Sequence, residues 1–459
     1  MKTKRQLTVF ILAMINVAAI CNLKNFPITA QLGFTSVFYY TLASIFFFIP
    51  VSLISAELAT GWPETGGVYI WVREALGKKM GFLAVFLQWA NNVIWYPSIL
   101  SFTAASFAYL INPELANNPV YIAVSVLILF WALTFINLRG MKTSGWISTV
   151  GVIAGTIIPG AIIILLGITW YSQGQPLQTP LNFSTLIPNG ISFEDLGLLA
   201  SVLLTLSGME MSAVHAKEVK DPKKNYPKAI LLSAIIILIL TILGGLAIAI
   251  VVPESTMNLA SGAMEAFAFF LQGYNLLWAL PIIAIAITIG AVGMVSTWVV
   301  GPTKGLLAAA LDHDIPEVFE KTNKEGMPTT LLFVQGIIVS LLCLVFLFMP
   351  SVSTSYWILF NLTALLYLLM YILMFIAGIV LRYKHPEVKR TYKVPFKNIG
   401  MWVIGIMGIV GSSFAFILGF YPPAQITSDH LIGYETFLIG GVVFFCIIPF
   451  FIKSGSKVK

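Results

Sequence analysis

Long apolar segments separated by short polar connections run through almost the whole chain. Each is close to the roughly 20 residues that a transmembrane helix needs, whereas barrel strands would alternate over roughly 10 residues. The pattern therefore predicts an all-α integral membrane protein with twelve transmembrane helices. Windows of about 19 residues place them at 7–31, 35–59, 81–111, 120–137, 146–170, 194–217, 228–252, 276–301, 329–349, 355–381, 399–421 and 433–453.

The basic residues test this count, because Lys and Arg collect in cytoplasmic connections. Of the 26 basic residues, all except Lys24 lie in alternate connections or in the two tails, and the opposite connections contain none. We therefore expect both termini in the cytoplasm and an even number of spans. These basic connections would face the anionic cytoplasmic leaflet, and they explain the net charge of +7. The charge therefore does not indicate a nucleic-acid partner.

Composition excludes several other classes of protein. Hydrophobic residues make up 58% of the chain and charged residues 10%, against about 25% charged in soluble proteins. The three cysteines all fall in predicted spans, so they indicate no disulfide framework. The histidines are scattered, and the adjacent Asp312, His313 and Asp314 do not present ligands to one point. We therefore expect no metal, no cofactor and no enzyme site.

The first predicted span is the least regular. It carries Cys21, Asn22, Lys24 and Asn25 before Pro27 ends the regular hydrogen-bond pattern. A lysine inside a spanning helix is unfavourable unless it faces a partner or a watery cavity. A helix that is also interrupted exposes its backbone to something polar. The stretch therefore predicts part of a binding site rather than a plain anchor.

Lys24 has two competing interpretations. In the first, it is a fixed positive charge in the substrate pathway, which attracts a carboxylate and repels dications. In the second, it snorkels to the outer interface or pairs with Glu265 or Glu435 in a purely structural role. The sequence favours the first interpretation without excluding the second.

The sixth predicted span is irregular in the same way, with Ser207, Gly208 and Glu210 at mid-depth. The two irregular spans are five helices apart, so they run in opposite directions. This predicts inverted repeats at 7–170 and 194–381, followed by two added helices at 399–453, in one transporter domain of residues 1–459. In such folds the substrate lies where the two broken helices meet.

Three stretches also carry a resemblance to a known family. They read FFFIPVSLISAELATGWPETGGVYIWVREALG from Phe46 to Gly77, GMEMSAVHAKEVKDPKKNYPKAI from Gly208 to Ile230, and GPTKGLLAAALDHDIPEVF from Gly301 to Phe319. The chain resembles the amino acid–polyamine–organocation (APC) superfamily, and within it the bacterial glutamate:GABA antiporter family. The resemblance implies a leucine-transporter type of fold, a bacterial inner membrane and alternating access.

The function implied is exchange of an amino acid for another amino acid or for its decarboxylation product, with glutamate and GABA as the first pair. A tyrosine/tyramine or agmatine/putrescine exchanger and a proton-coupled amino-acid symporter remain alternatives. The fifth predicted span contains no lysine or arginine, and by analogy with the superfamily this favours exchange over proton coupling. The partners expected are amino acid or amine substrates and the lipid bilayer, and the protein is expected to be a monomer or homodimer.

The expected substrate site gathers polar residues from both breaks and from the third and tenth spans. The candidates are Cys21, Asn22, Leu23, Lys24, Asn91, Asn92, Ser207, Gly208, Met209, Glu210 and Asn361. Glu210 is also the candidate proton-sensitive gate, although the same carboxylate could simply hold the broken segment together. His215, near the inner mouth, could titrate near neutrality, and could equally be a solvated residue at a helix end.

Overall fold

The computed structural model describes residues 8–64, 66–140, 151–188, 193–211, 221–253, 256–349, 351–421 and 431–452. Regular secondary structure in these ranges is helical, apart from one isolated antiparallel bridge between Thr322 and Pro328. The prediction of an all-α protein is therefore confirmed for the described part of the chain.

The helices are numbered here in chain order. The first half contains α1 (Val9–Ile20), α2 (Phe26–Gln31), α3 (Ser36–Ala43), α4 (Ile49–Gly61), α5 (Val68–Leu76), α6 (Lys78–Ala108), α7 (Pro119–Asn137) and α8 (Ile158–Ser172). The second half contains α9 (Phe193–Thr205), α10 (Pro222–Ala249), α11 (Gly262–Gly273), α12 (Leu280–Leu311), α13 (Thr329–Leu342), α14 (Val345–Phe348), α15 (Val352–Lys384), α16 (Lys397–Leu418) and α17 (Leu431–Phe451).

Two π-helical turns, Ser44–Phe48 and Ile153–Ile157, connect α3 to α4 and lead into α8. A proline follows each turn, as the second residue of the next helix: Pro50 in α4 and Pro159 in α8. Because proline has no amide donor, one α-helical hydrogen bond is missing at each place, and the wider turn accommodates the gap.

Nine stretches of the described chain are helices long and apolar enough to cross a membrane, and the bent pair α1 and α2 raises this to ten. The third predicted span coincides with the 31-residue helix α6. The described part of the sixth contains the shorter apolar stretch Leu199–Met211, which is interrupted after Thr205. The protein is therefore a multi-pass membrane protein, whereas a total of twelve spans stays a prediction.

Close approach between helices depends on small residues at the contact. A Cβ at Gly244 of α10 would collide with the ring of Phe26, and one at Gly245 would collide with Thr29. This glycine pair lets α2 lie directly against α10, as small residues commonly do in membrane bundles. The short second half of the broken span is thereby held firmly in place.

A buried ion cluster joins the C-terminal ends of α4 and α15. The Glu57 carboxylate accepts hydrogen bonds of 2.5 Å from both Nε and Nη2 of Arg382, and one of 2.7 Å from the amide of Val394. Arg390 Nε lies 3.3 Å from the same carboxylate. These contacts hold α4, α15 and the segment after α15 together.

Candidate functional site

The first break is a 50° bend between α1 and the helical segment Leu23–Gln31, which contains α2. Helix α1 ends at Ile20, and Cys21 and Asn22 are extended. The Asn22 side-chain oxygen accepts the Lys24 amide at 2.8 Å and starts a 3₁₀ turn at Leu23–Asn25. An asparagine can cap the new helix because its short side chain reaches the amide two residues on. The interruption predicted in the first span is therefore present.

The second break follows Thr205, where α9 ends. The Ser207 hydroxyl donates back to the Leu203 carbonyl at 2.9 Å, and Gly208 has φ +119°. That backbone conformation favours glycine, and a Cβ there would also lie 3.2 Å from the Trp298 ring. Residues 209–211 then form a short 3₁₀ turn. The sixth predicted span is thus interrupted where its serine, glycine and glutamate indicated.

Both breaks line one cavity inside the helix bundle. The lining comes from the first break, the second break, α6, α12 and α15, and comprises Ala19, Ile20, Asn22, Lys24, Asn25, Asn91, Asn92, Trp95, Leu204, Ser207, Met294, Trp298, Phe360, Thr363 and Tyr367. The ends of broken helices carry carbonyl and amide groups without intrahelical partners. The cavity therefore combines such backbone groups with carboxamides and an ammonium group.

Lys24 is 2% exposed, and its Nζ points into the bundle rather than to the protein surface. Nζ lies 3.3 Å from Ser98 Oγ and faces the rings of Phe360, Trp95 and Tyr356, at 4.6, 4.9 and 5.4 Å from their centroids. Within the described residues it forms no salt bridge. The structural pairing with Glu265 is not observed, since that carboxylate accepts from Ser261 Oγ at 2.5 Å.

Asparagines supply most of the remaining polar lining. The amide nitrogens of Asn91 and Asn92 donate to the Gln88 carbonyl at 2.9 and 2.8 Å, which anchors both side chains on α6. The Asn25 side chain also lines the cavity, and no hydrogen bond to it from another described residue is seen. Among the residues that the structure describes, its amide therefore keeps capacity for a polar ligand.

Glu210 lies beside the cavity and is held by neutral donors. Its carboxylate accepts hydrogen bonds from the hydroxyls of Tyr367 and Tyr371, the second at 2.5 Å, and from Gln88 Nε2 at 3.4 Å. The Tyr371 hydroxyl in turn accepts the Gly208 amide at 2.9 Å. Because Tyr367 also lines the cavity, a change at Glu210 can reach the cavity wall through one residue.

Not every predicted residue lines this cavity. Cys21, Leu23, Gly208, Met209 and Glu210 belong to the two breaks but are not part of the lining. His215 lies outside the described residues.

Asn361 is likewise absent from the lining. It accepts from Ser201 Oγ at 2.8 Å and donates to the Tyr434 hydroxyl at 2.7 Å, so it joins α9, α15 and α17 instead of facing the cavity. The physical reason is helical rotation, because Asn361 lies about 100° around α15 from its cavity-lining neighbour Phe360.

Several cavity residues were not selected from the sequence. Trp95 follows Asn91 at helical spacing on α6, and on α15 the lining residues Phe360, Thr363 and Tyr367 are three and four positions apart. Spacings of three and four residues share one helix face. This periodicity is the signal that could have extended the site from Asn91, whereas Met294 and Trp298 carry no comparable signal.

Two interrupted helices that open onto one buried polar cavity are characteristic of a secondary membrane transporter. The sequence comparisons agree. A family model described as amino acid permease matches residues 5–447. The chain therefore belongs to the amino acid permease family of the APC superfamily.

Individual relatives cover almost the whole chain. A protein of Legionella pneumophila described as an uncharacterised transporter is 46% identical over 97% of this chain and 96% of its own length. A glutamate/gamma-aminobutyrate antiporter of Lactococcus lactis is 33% identical over 98% of this chain and 90% of its own length. A probable agmatine/putrescine antiporter of Lactococcus lactis is 25% identical over 94% of this chain and 91% of its own length.

Proposed function

We propose that this protein is an antiporter that exchanges an amino acid for another amino acid or for its decarboxylation product, with glutamate and GABA as the first pair. One observation carries the proposal: both helix breaks and the ammonium group of Lys24 meet at a single buried cavity. The relatives named as glutamate/gamma-aminobutyrate antiporters support the same pair.

The proposal includes an architecture. Twelve spans form inverted repeats at 7–170 and 194–381, with helices at 399–453 added, in one domain of the bacterial inner membrane. Both termini lie in the cytoplasm, where the basic connections also lie. The opposed breaks after Ile20 and Thr205 support this arrangement, because each is expected at the same point of its repeat.

Different backbone groups at the helix ends would bind the two charges of a zwitterion. Carbonyl groups at the end of α1 and of α9 suit the substrate ammonium, and amide groups that start the next turns suit its α-carboxylate. We assign these roles to backbone at Cys21 to Lys24 and at Ser207 to Glu210. The Lys24 ammonium then binds the acidic side chain, and Asn91 and Asn92 complete the polar wall.

Glu210 is proposed as the gate that responds to protons. Tyrosine hydroxyls hold its carboxylate, and Tyr367 forms part of the cavity wall. Protonation would convert the carboxylate from an acceptor into a donor and would disturb these contacts. His215 is retained as a second candidate sensor at the inner mouth.

Agmatine/putrescine exchange is the second candidate, because a relative carries that description. A dication in this cavity would meet the Lys24 ammonium, which has no carboxylate partner within the described residues. Like charges in a low-dielectric site repel strongly. The cavity therefore favours acidic and neutral amino acids over diamines.

The test is counterflow in proteoliposomes preloaded with unlabelled glutamate, GABA, glutamine, tyrosine or agmatine, with and without a proton or sodium gradient. Labelled substrate should accumulate only against a loaded partner, with glutamate and GABA the best pair. Gradient-driven uptake into empty vesicles would instead indicate a symporter, and preference for agmatine would select the second candidate.

Lys24→Met sharpens the same assay. Glutamate exchange should fall at least about tenfold, as expected when a buried ion contact is lost, and glutamine exchange should change little. Lys321→Met, an exposed cytoplasmic lysine, is the matched control and should resemble wild type. Equal loss on glutamate and glutamine would mean that Lys24 is structural.

A further inference from the structure

The ammonium group of Lys24 is enclosed by four side chains, which we call the ammonium cage: Trp95, Ser98, Tyr356 and Phe360. The Ser98 hydroxyl donates its proton to the Trp95 carbonyl at 2.8 Å. Its lone pairs are therefore left for Lys24 Nζ at 3.3 Å. The cage thus holds a cation with ring faces and a hydroxyl oxygen, without a carboxylate among its members.

The cage has an inner and an outer side relative to the cavity. Trp95, Phe360 and Lys24 itself line the cavity, whereas Tyr356 and Ser98 do not. Tyr356 stacks on Phe360 with centroids 5.6 Å apart and an interplanar angle of 18°. Tyr356 therefore contacts the ammonium group from outside the cavity lining.

The hydroxyl of Tyr356 does not explain why a tyrosine occupies this position. It is buried, and it has no hydrogen-bond partner among the described residues. The ring is the useful part, because an aromatic face attracts a cation within about 6 Å of its centroid. The Tyr356 centroid lies 5.4 Å from Lys24 Nζ.

We propose that Tyr356 is a positioning residue that sets selectivity for acidic substrates by holding the Lys24 ammonium at the cavity wall. This rests on the proposed function, in which Lys24 binds an acidic side chain. Without the ring, space opens behind the ammonium group, which can retreat from the cavity. A carboxylate on the substrate would then lose its partner, whereas the backbone sites at the helix breaks would be unaffected.

Tyr356→Leu tests the proposal against Tyr356→Phe, which keeps the ring and removes only the unpaired hydroxyl. Tyr356→Leu should raise KM for glutamate by about threefold to thirtyfold, the range expected for a desolvated cation–π contact. The maximal exchange rate and KM for glutamine should stay close to wild type. Tyr356→Phe should match wild type on both substrates.

Ser98→Ala is a second variant for the case in which Tyr356→Leu yields no folded protein. It also acts on Lys24 from outside the cavity, and it changes little volume. It should raise KM for glutamate by about threefold or more, as for a lost hydrogen bond to a charged group, with glutamine unchanged.

Each remaining outcome contradicts either the positioning role of Tyr356 or the proposed function. Equal effects on glutamate and glutamine, or no effect on either, would overturn the positioning role alone. A lower KM for glutamate in Tyr356→Leu would show that the ring competes with substrate, and would overturn it as well. Failure of the wild-type protein to exchange glutamate would overturn the proposed function, and the role of Tyr356 with it.

Discussion

Helix α15 contacts a buried charge near each of its ends, and the two charges have very different partners. Near its start, Phe360 faces Lys24, whose ammonium is met by rings and one hydroxyl. Near its end, Arg382 makes two hydrogen bonds of 2.5 Å to Glu57. One charge keeps capacity for a further partner, and the other is fully paired.

The difference separates binding from scaffolding. A buried ion pair that is complete in its hydrogen bonds holds elements together and has nothing left to offer a ligand. An ammonium group has three donors, and Ser98 is its hydrogen-bond acceptor within the described residues. Capacity left unused beside a cavity, rather than burial itself, therefore marks the candidate functional charge.

Glu57→Gln should give the largest effect on stability. Loss of the negative charge leaves Arg382 and Arg390 buried without their counter-ion, and breaking a buried pair this way costs about 3–5 kcal/mol. A marked fall in melting temperature in detergent, with little folded protein recovered, is the expected result. Lys24→Met should melt close to wild type.

Glu387→Gln is the matched control for that experiment. Glu387 lies in the connection after α15, as Arg390 does, but its partner His385 and the carboxylate are solvent-accessible. Exposed pairs contribute little to stability because solvent screens them. A melting temperature of Glu57→Gln equal to that of Glu387→Gln would contradict the division between scaffold and site.

Glu210→Gln should have an intermediate effect, mainly on transport. The amide cannot ionise, and its NH₂ group faces tyrosine hydroxyls that now donate to a carboxylate. Loss of hydrogen bonds to a charged group corresponds to about 1.5–3 kcal/mol. The exchange rate should fall about tenfold or more, and its pH dependence should become flatter.

Glu265→Gln provides the comparison, because Glu265 is another largely buried glutamate, paired with Ser261 instead of with the cavity wall. Its pH profile of exchange should follow wild type. An unchanged pH profile in Glu210→Gln would reject the gate and leave Glu210 as a residue that braces the second break.

Much of the fold could be predicted from the sequence, because its signals are local. Polar residues and a glycine inside apolar segments marked both breaks, and capping by Asn22 and the left-handed conformation of Gly208 are short-range consequences. The positive connections likewise marked the end of the bundle where Glu57 finds Arg382, 325 residues along the chain. That particular pair could not be chosen in advance, since several arginines share the same side.

The residues that line the cavity were harder to predict from the sequence, because the rotation of a helix about its axis depends on packing against its neighbours. Polarity suggested Asn361, yet the adjacent Phe360 faces the cavity and Asn361 joins three helices. The aromatic face that begins with Tyr356 looked like ordinary apolar sequence. Only the position of Lys24 Nζ gives those rings a role, and that position follows from the break before it.

The smallest effect concerns a third charged group, which lies outside the predicted spans. The Tyr69 hydroxyl lies 2.8 Å from a carboxylate oxygen of both Asp312 and Asp314, and Arg73 pairs with Asp312. Lys78 also acts on Asp314 electrostatically. One hydroxyl proton serves two carboxylates, so this group is neither fully paired like Glu57 nor open to a cavity like Lys24.

Asp314→Asn tests how the group around Tyr69 makes the stability of the protein depend on pH. Burial raises the pKa of the Asp314 carboxyl above the ordinary aspartate range. The folded protein therefore holds this proton more tightly than the unfolded chain, and the resulting stability is present at low pH and lost as the pH rises through the raised pKa. Asn cannot titrate, so that component should vanish from melting curves recorded between about pH 4 and pH 7. The change should be about 0.5 kcal/mol or less, as for a surface position.

Glu387→Gln should change the slope of melting temperature against pH in the opposite sense, because a hydrogen bond from the backbone lowers the pKa of Glu387. Identical slopes in wild type and Asp314→Asn would mean that Asp314 stays ionised throughout, and that the group around Tyr69 is as completely paired as the cluster around Glu57.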